Sequence, residues 1–180
     1  MPSLRGRLLI ASPGLLDPNF RRTVVLVVEH DDDGAIGLVL NRPSETEVAE
    51  AVPPLSGLVE PGATVAFGGP VQPEAVCVLA EWDDPDAAGT IVFEDVGLMP
   101  AELDPDEVLT ATRRRRVFAG YSGWSAGQLE LELDEPSWIV ARPQIDDVFG
   151  DRSDLWASVL RRKGGQFRLL ATMPENPSLN

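Results

Sequence analysis

Thr23 to His30 contains Val24, Val25, Leu26, Val27 and Val28 without a polar interruption, and this run constrains the fold more than any other feature of the chain. β-branched side chains favour an extended backbone. A continuous apolar run, unlike an alternating one, suits a strand buried on both faces. Asp31-Asp32-Asp33-Gly34 then makes a tight turn in which Gly34 is free to take a positive φ. Ala35 to Asn41 returns as the partner strand, so the chain is expected to fold around a hairpin.

Other elements follow from local signals. Arg7 to Ala11 reads as a first strand, and Asp17-Pro18-Asn19 has turn chemistry. Ser44 to Leu58 reads as a helix, with Ser44 as cap, Glu47 three residues later as in a capping box, and Pro53-Pro54 as its stop. Thr64 to Gly68, Ala75 to Glu81 and Thr90 to Glu94 read as short strands between Gly and Pro. Asp104 to Thr112 predicts a helix with Asp104 as cap and Pro105 in its first turn. Val117 to Tyr121 and Ser137 to Ala141 are further strands. Asp151 to Lys163 predicts a helix capped by Asp151 or Ser153, with Leu155, Trp156, Val159 and Leu160 on its apolar face. Arg161-Arg162-Lys163 suit its negative end, and Gly164-Gly165 stop it. Strands and helices mix without βαβ alternation, which points to α+β and to one domain over residues 1–180.

Composition narrows the function classes. One Cys and one His exclude an internal disulfide framework and leave too few soft ligands for a conventional structural zinc site. Arg5 and Arg7 are followed only by Leu8-Leu9-Ile10-Ala11, too short for the apolar core of a signal peptide. The longest apolar run, Ala75 to Ala80, is far short of a membrane span, so a cytoplasmic protein without membrane contact is expected. The net charge of −14 is unevenly placed: Pro43 to Thr112 holds fifteen acids and no base, and the flanks are almost neutral. That stretch reads as a solvated acidic flank, with a docking surface for a basic partner as the second reading.

Gly6 to Pro43 reads GRLLIASPGLLDPNFRRTVVLVVEHDDDGAIGLVLNRP, Phe67 to Val71 reads FGGPV, and Val117 to Glu130 reads VFAGYSGWSAGQLE. In these stretches the chain resembles the AlgH/YqgE family of small bacterial proteins, and the resemblance runs along nearly the whole chain. It implies an α+β fold whose bent, mostly antiparallel sheet forms a barrel-like core flanked by helices. Some members carry a transcriptional-regulator label that states no mechanism, and the resemblance transfers no catalytic or cofactor residue.

Gly123-Trp124-Ser125-Ala126-Gly127 matches the G-x-S-x-G of a nucleophile elbow, but no His follows Ser125. The resemblance also implies that a residue without a hydroxyl is tolerated there. The plainer reading is a Gly-rich turn, anchored by Trp124, leading into a helix that starts near Ser125. Ser122, Ser125 and the amides of that helix start are candidates for holding a carboxylate or phosphate. Gly68-Gly69-Pro70 is a weaker candidate, since it lacks the Lys and spacing of a P-loop and is read first as a tight turn.

His30 beside Glu29 is read as a structural residue of the hairpin, with acid–base work as the alternative. Arg22, Asn41 and Arg42 meet at the open end of the hairpin, where Asn19 can join them. The cluster is either an anion site or a network that caps backbone groups and pairs with local acids. Asp31 to Gly34 fails as a calcium loop because Leu40 stands where a Glu is needed. Cys77 is read as a small buried hydrophobe. The run Arg113 to Arg116 is read as offsetting the acidic stretch, and no nucleic-acid-binding motif accompanies it.

The residues therefore lead to a non-enzymatic binding or regulatory protein with a small anionic ligand or a protein partner. No cofactor and no metal are expected, and direct nucleic-acid binding is disfavoured. A hydrolase built on His30 or Ser125 is the alternative.

Overall fold

The computed structural model describes residues 1–175. Ten strands form one curled, mostly antiparallel sheet: β1 (Leu8–Ala11), β2 (Val24–Asp31), β3 (Gly34–Val39), β4 (Pro43–Glu47), β5 (Thr64–Phe67), β6 (Val71–Trp82), β7 (Thr90–Phe93), β8 (Val96–Leu98), β9 (Thr112–Ser125) and β10 (Trp138–Ala141). The order is β10-β1-β2-β3-β9-β6-β8-β7, with β4 and β5 on a branch. The α+β class and the bent sheet are as expected, but the sheet curls without closing into a barrel. Its two end strands do not pair, and the Arg5 guanidinium reaches from the start of the chain to the Ile91 carbonyl on β7.

The helices are α1 (Val48–Ala51), α2 (Pro105–Ala111), α3 (Gln128–Asp134), α4 (Ile145–Phe149), α5 (Leu155–Lys163) and α6 (Phe167–Leu170). Among the described residues no helix is long and apolar enough to cross a membrane.

The hairpin is where the sequence places it. Its central residues Val24 to Val28 are all buried, even positions in one cluster and odd positions in the other. The inner cluster joins Leu8, Leu26, Leu38 and Phe118 to Trp156, Val159 and Leu160 of α5. The outer cluster centres on Trp124 and Trp138, whose rings meet edge to face at 6.0 Å, with Phe20 against both.

Two expectations are corrected. Ser44 to Leu58 is not one helix. Pro43–Glu47 pairs with β5, Ser44 Oγ accepts the Thr46 N–H at 3.2 Å, and only Val48–Ala51 turns helical before a 3₁₀ segment at Pro53–Leu58. Val48 is the sole buried residue of α1, so a helix there would have had no apolar face to dock, and sheet pairing outweighed the local cap signal. Secondly, β9 runs from Thr112 to Ser125 and takes the arginine run into the sheet.

The sheet forks, and the fork positions the site. Gly34 to Gly37 pairs directly with Ser122 to Ser125, but further along β5 is wedged between the two chains. There β5 pairs with Phe118 and Ala119 of β9 on one side and with Pro43 and Glu47 of β4 on the other. At the crotch Gly68 and Gly69 press on Gly120 to Ser122; a Cβ on Gly68 would lie 2.3 Å from the Gly120 carbonyl oxygen.

Candidate functional site

The candidate residues lie in three separate places. Gly68, Gly69 and Ser122 belong to the fork. Ser122 is fully buried and donates its hydroxyl to the Gly68 carbonyl at 3.1 Å, while the Gly68 N–H is taken by Ala119. Backbone contact, rather than an anion, accounts for these residues.

Ser125 lies at the other end of β9. Its amide and hydroxyl both bond to Gln128 Oε1, at 3.0 and 3.2 Å, and α3 begins only at Gln128 behind the left-handed Gly127. His30 uses both ring nitrogens elsewhere. Nδ1 accepts the Leu4 N–H at 2.9 Å, which leaves the proton on Nε2 to donate to Glu130 at 2.8 Å. The imidazole thus ties the start of the chain to the hairpin and to α3, and Glu29 is not its partner. Burial pushes the Cys77 thiol up to about 12, which makes it an inert small side chain.

Arg22, Asn41 and Arg42 do converge, and they line a cleft of about 470 Å³. Asn19 stays outside it, its amide bonded to Asp17 in an exposed turn. Asn41 is the clamp: its Oδ1 accepts the Val24 N–H and its Nδ2 donates to the Arg22 carbonyl, both at 2.9 Å. The clamp holds Arg22 at φ 55°, where an arginine is uncommon, and turns its guanidinium over the Trp156 ring at 4.3 Å. Asn41→Ala leaves a half-buried N–H and a carbonyl without partners, so a loss of about 2–4 kcal/mol is expected in urea unfolding. Asn41→Asp keeps the acceptor and is expected to lose less.

Two arginines complete the cleft. Arg116, on β9, is 8% exposed and donates to the Leu40 and Val148 carbonyls at 2.7 and 3.3 Å, with its guanidinium 5.0 Å from the Phe118 ring centre. Arg152, just before α5, donates to the Val148 and Gly150 carbonyls. Arg42 donates to the Arg21 carbonyl and Arg22 to that of Met173.

All four guanidinium groups thus hydrogen-bond to backbone oxygens. Among the described residues none has a carboxylate within 4.0 Å, although the chain carries 29 acids. The acids at the cleft are committed or stand off: Asp154 pairs with Arg161, and Asp151 accepts the Ser153 N–H at 2.9 Å. Glu175 acts on Arg42 through its field only.

Burial pushes Arg42 and Arg152 below the ordinary arginine value, opposed by Glu175 and Asp151 respectively. Burial, and then the neighbouring charge of Arg152, brings Arg116 down to about 9. At neutral pH Arg116 is still protonated, so the cleft wall keeps a desolvated positive charge with no carboxylate within 4.0 Å among the described residues. Trp156 and Ala157, in the first turn of α5, line the same cleft.

An AlgH-like family model, DUF179, matches residues 8–168. The chain belongs to the AlgH-like family. A UPF0301 protein of Thermobifida fusca is 44% identical, covering 99% of this chain and 96% of that protein. One of Mycobacterium tuberculosis is 42% identical, at 97% and 90%. The crystal structure of DIP2367 from Corynebacterium diphtheriae superimposes with a TM-score of 0.88 at 26% identity, covering 96% of this chain and 94% of that one. The solution structure of AlgH from Pseudomonas aeruginosa gives 0.72 at 28% identity, with 97% of each chain covered. These names state no reaction for this AlgH-like chain.

Sequence reasoning missed Arg116 and Arg152. It treated Arg113 to Arg116 as a unit, whereas the strand splits them. Arg113 reaches Glu81, Asp83 and Asp95 at 3.7, 3.5 and 3.0 Å, and Arg114 reaches Glu81 and Asp146 at 2.8 and 2.9 Å, so these two do offset acids. Arg115 turns to the Leu58 and Thr112 carbonyls, and Arg116 turns into the cleft. The available signal was parity, since Arg116 lies two residues before the core residue Phe118 and so shares its face. Arg152 carried no such signal in the sequence.

Proposed function

We propose that the protein is a non-enzymatic binding or regulatory protein whose cleft takes a small oxyanion. The observation that carries this reading is Arg116, a buried, charged guanidinium with no carboxylate partner among the described residues, on the wall of an open cleft with Arg22, Arg42 and Arg152 around it. An isolated buried charge opposes folding unless something neutralises it, and a bound anion would supply that. Guanidinium forks match phosphate and carboxylate oxygens. The net charge of −14 works against long polyanions at long range, which favours a small ligand over nucleic acid.

Inorganic pyrophosphate tests the reading in a thermal melt. At 100 times its dissociation constant a ligand adds about 2.7 kcal/mol, and a rise of roughly 5–10 °C follows for a chain of this size. Because Arg116 must stay charged, the affinity is expected to fall as pH rises through about 9. Binding raises the Arg116 value again, so the loss above that point approaches tenfold per pH unit. An unchanged melting temperature in millimolar pyrophosphate, phosphate and citrate overturns the reading.

A further inference from the structure

The segment that follows α6 passes over the arginine cleft. Phe167, Leu170 and Ala171 pack against the inner cluster, and the Thr172 and Met173 amides close the last turn on the Leu169 and Leu170 carbonyls at 3.2 and 3.1 Å. Pro174 has no N–H to continue that pattern, so the chain leaves the turn there. The Met173 carbonyl accepts from the Arg22 guanidinium, and Glu175, two residues on, lines the cleft. Arg22, Arg42 and Glu175 also line a neighbouring cavity of about 380 Å³, together with Leu16, Pro18 and Arg21. The segment therefore stands between two openings onto the same two guanidinium groups.

The three carboxylates of the cleft differ in how they are held. Asp154 pairs with Arg161, and Asp151 accepts the Ser153 N–H, so both are tied down beside the start of α5. Glu175 is exposed and has no cation within 4.0 Å among the described residues. Burial lowers Arg42 from its ordinary value, and the field of Glu175 opposes that shift. Met173 and Glu175 thus supply in part what an incoming oxyanion would supply, a hydrogen-bond acceptor for Arg22 and a negative charge near Arg42. An anion in the cleft competes with the Met173 carbonyl for Arg22 and meets Glu175 as a like charge.

We propose that Met173–Glu175 is a strap that occupies the oxyanion site from within the chain and lifts away when the anion binds. This rests on the oxyanion reading of the cleft and adds its regulation. The fraction of molecules with the strap lifted scales the apparent affinity, so the hold on this segment sets the anion concentration to which the protein responds.

Two measurements on the full chain test the strap. Calorimetry with inorganic pyrophosphate compares the unaltered protein with Glu175→Gln, an exposed position whose substitution leaves the packing untouched. The variant is expected to bind about three- to tenfold tighter at low ionic strength, and the advantage is expected to shrink in salt. Nitrogen-15 relaxation of the Glu175 amide follows the segment itself. It is expected to be ordered in the free protein and to fall to an order parameter below about 0.6 when pyrophosphate saturates the cleft. Equal or weaker binding by Glu175→Gln overturns the proposal and leaves the oxyanion site standing. So does a Glu175 amide that is already mobile without the anion, or one that stays ordered with it. Binding of pyrophosphate by neither protein removes both readings.

Discussion

Gly69→Ala is expected to prevent cooperative folding. Gly69 sits at the fork with φ +154°, and a Cβ there would lie 2.2 Å from the Tyr121 carbonyl carbon, 2.3 Å from its oxygen and 2.4 Å from the Ser122 amide nitrogen. All three are backbone atoms of β9, the strand that holds the two halves of the sheet together through β3, β5 and β6. No rotamer relieves such a contact; only separation of the strands does, and that breaks the packing around Phe118 and Leu38. The loss therefore belongs with the exceptional substitutions, above about 4 kcal/mol. Gly62→Ala is the control. Its φ is also positive, at +84°, but nothing lies within 4 Å, so only the backbone penalty of about 1 kcal/mol remains. Urea unfolding followed by circular dichroism measures both. A cooperative Gly69→Ala transition near that of Gly62→Ala would mean that the fork opens without cost.

Arg116→Met is expected to weaken pyrophosphate binding by roughly 30-fold or more while changing the stability of the free protein by no more than about 2 kcal/mol in either direction. The methionine keeps an apolar stem against Phe118 and removes a charge that burial and Arg152 already disfavour. Two hydrogen bonds, to the Leu40 and Val148 carbonyls, are lost, at about 1 kcal/mol each. Replacing a buried charge by an apolar side chain of similar size returns about 1–4 kcal/mol. The net expectation therefore lies between a loss of about 1 kcal/mol and a gain of about 2 kcal/mol. Binding loses a buried charge-assisted contact, which corresponds to roughly 30-fold or more. A destabilisation beyond about 3 kcal/mol with binding retained would make Arg116 a structural tie and remove it from the site. Arg152→Gln, at a half-buried position, provides the second reading of the same charge.

Elements with a strong local cause were legible. The hairpin announced itself by a continuous β-branched run, a turn sequence and a returning strand. The helix ending at Lys163 did so by its apolar spacing, its basic end and its glycines. The helix at Pro105–Ala111 followed from Asp104 as cap and Pro105 in its first turn, and the structure adds Glu107, which accepts the Asp104 N–H at 3.0 Å. Ser44 and Glu47 offered a similar signal and it was misleading, because strand pairing competed there. In the site, Arg22, Asn41 and Arg42 were legible because hairpin geometry alone brings the end of one strand beside the start of the other.

The sequence by itself determined the buried hairpin, the α+β class and an uneven charge that leaves the two ends of the chain almost neutral. These depend on neighbouring residues, on alternation and on counting. Only the tertiary structure decided that Gly68, Gly69 and Ser122 serve a forked sheet, and that Arg113 and Arg114 meet acids while Arg116 does not. It also brought Arg152 to the same cleft from a loop more than a hundred residues away from Asn41. The reason is that a guanidinium's role depends on its desolvation and on which charges surround it. Both are properties of packing between distant segments, and no local pattern of residues encodes them.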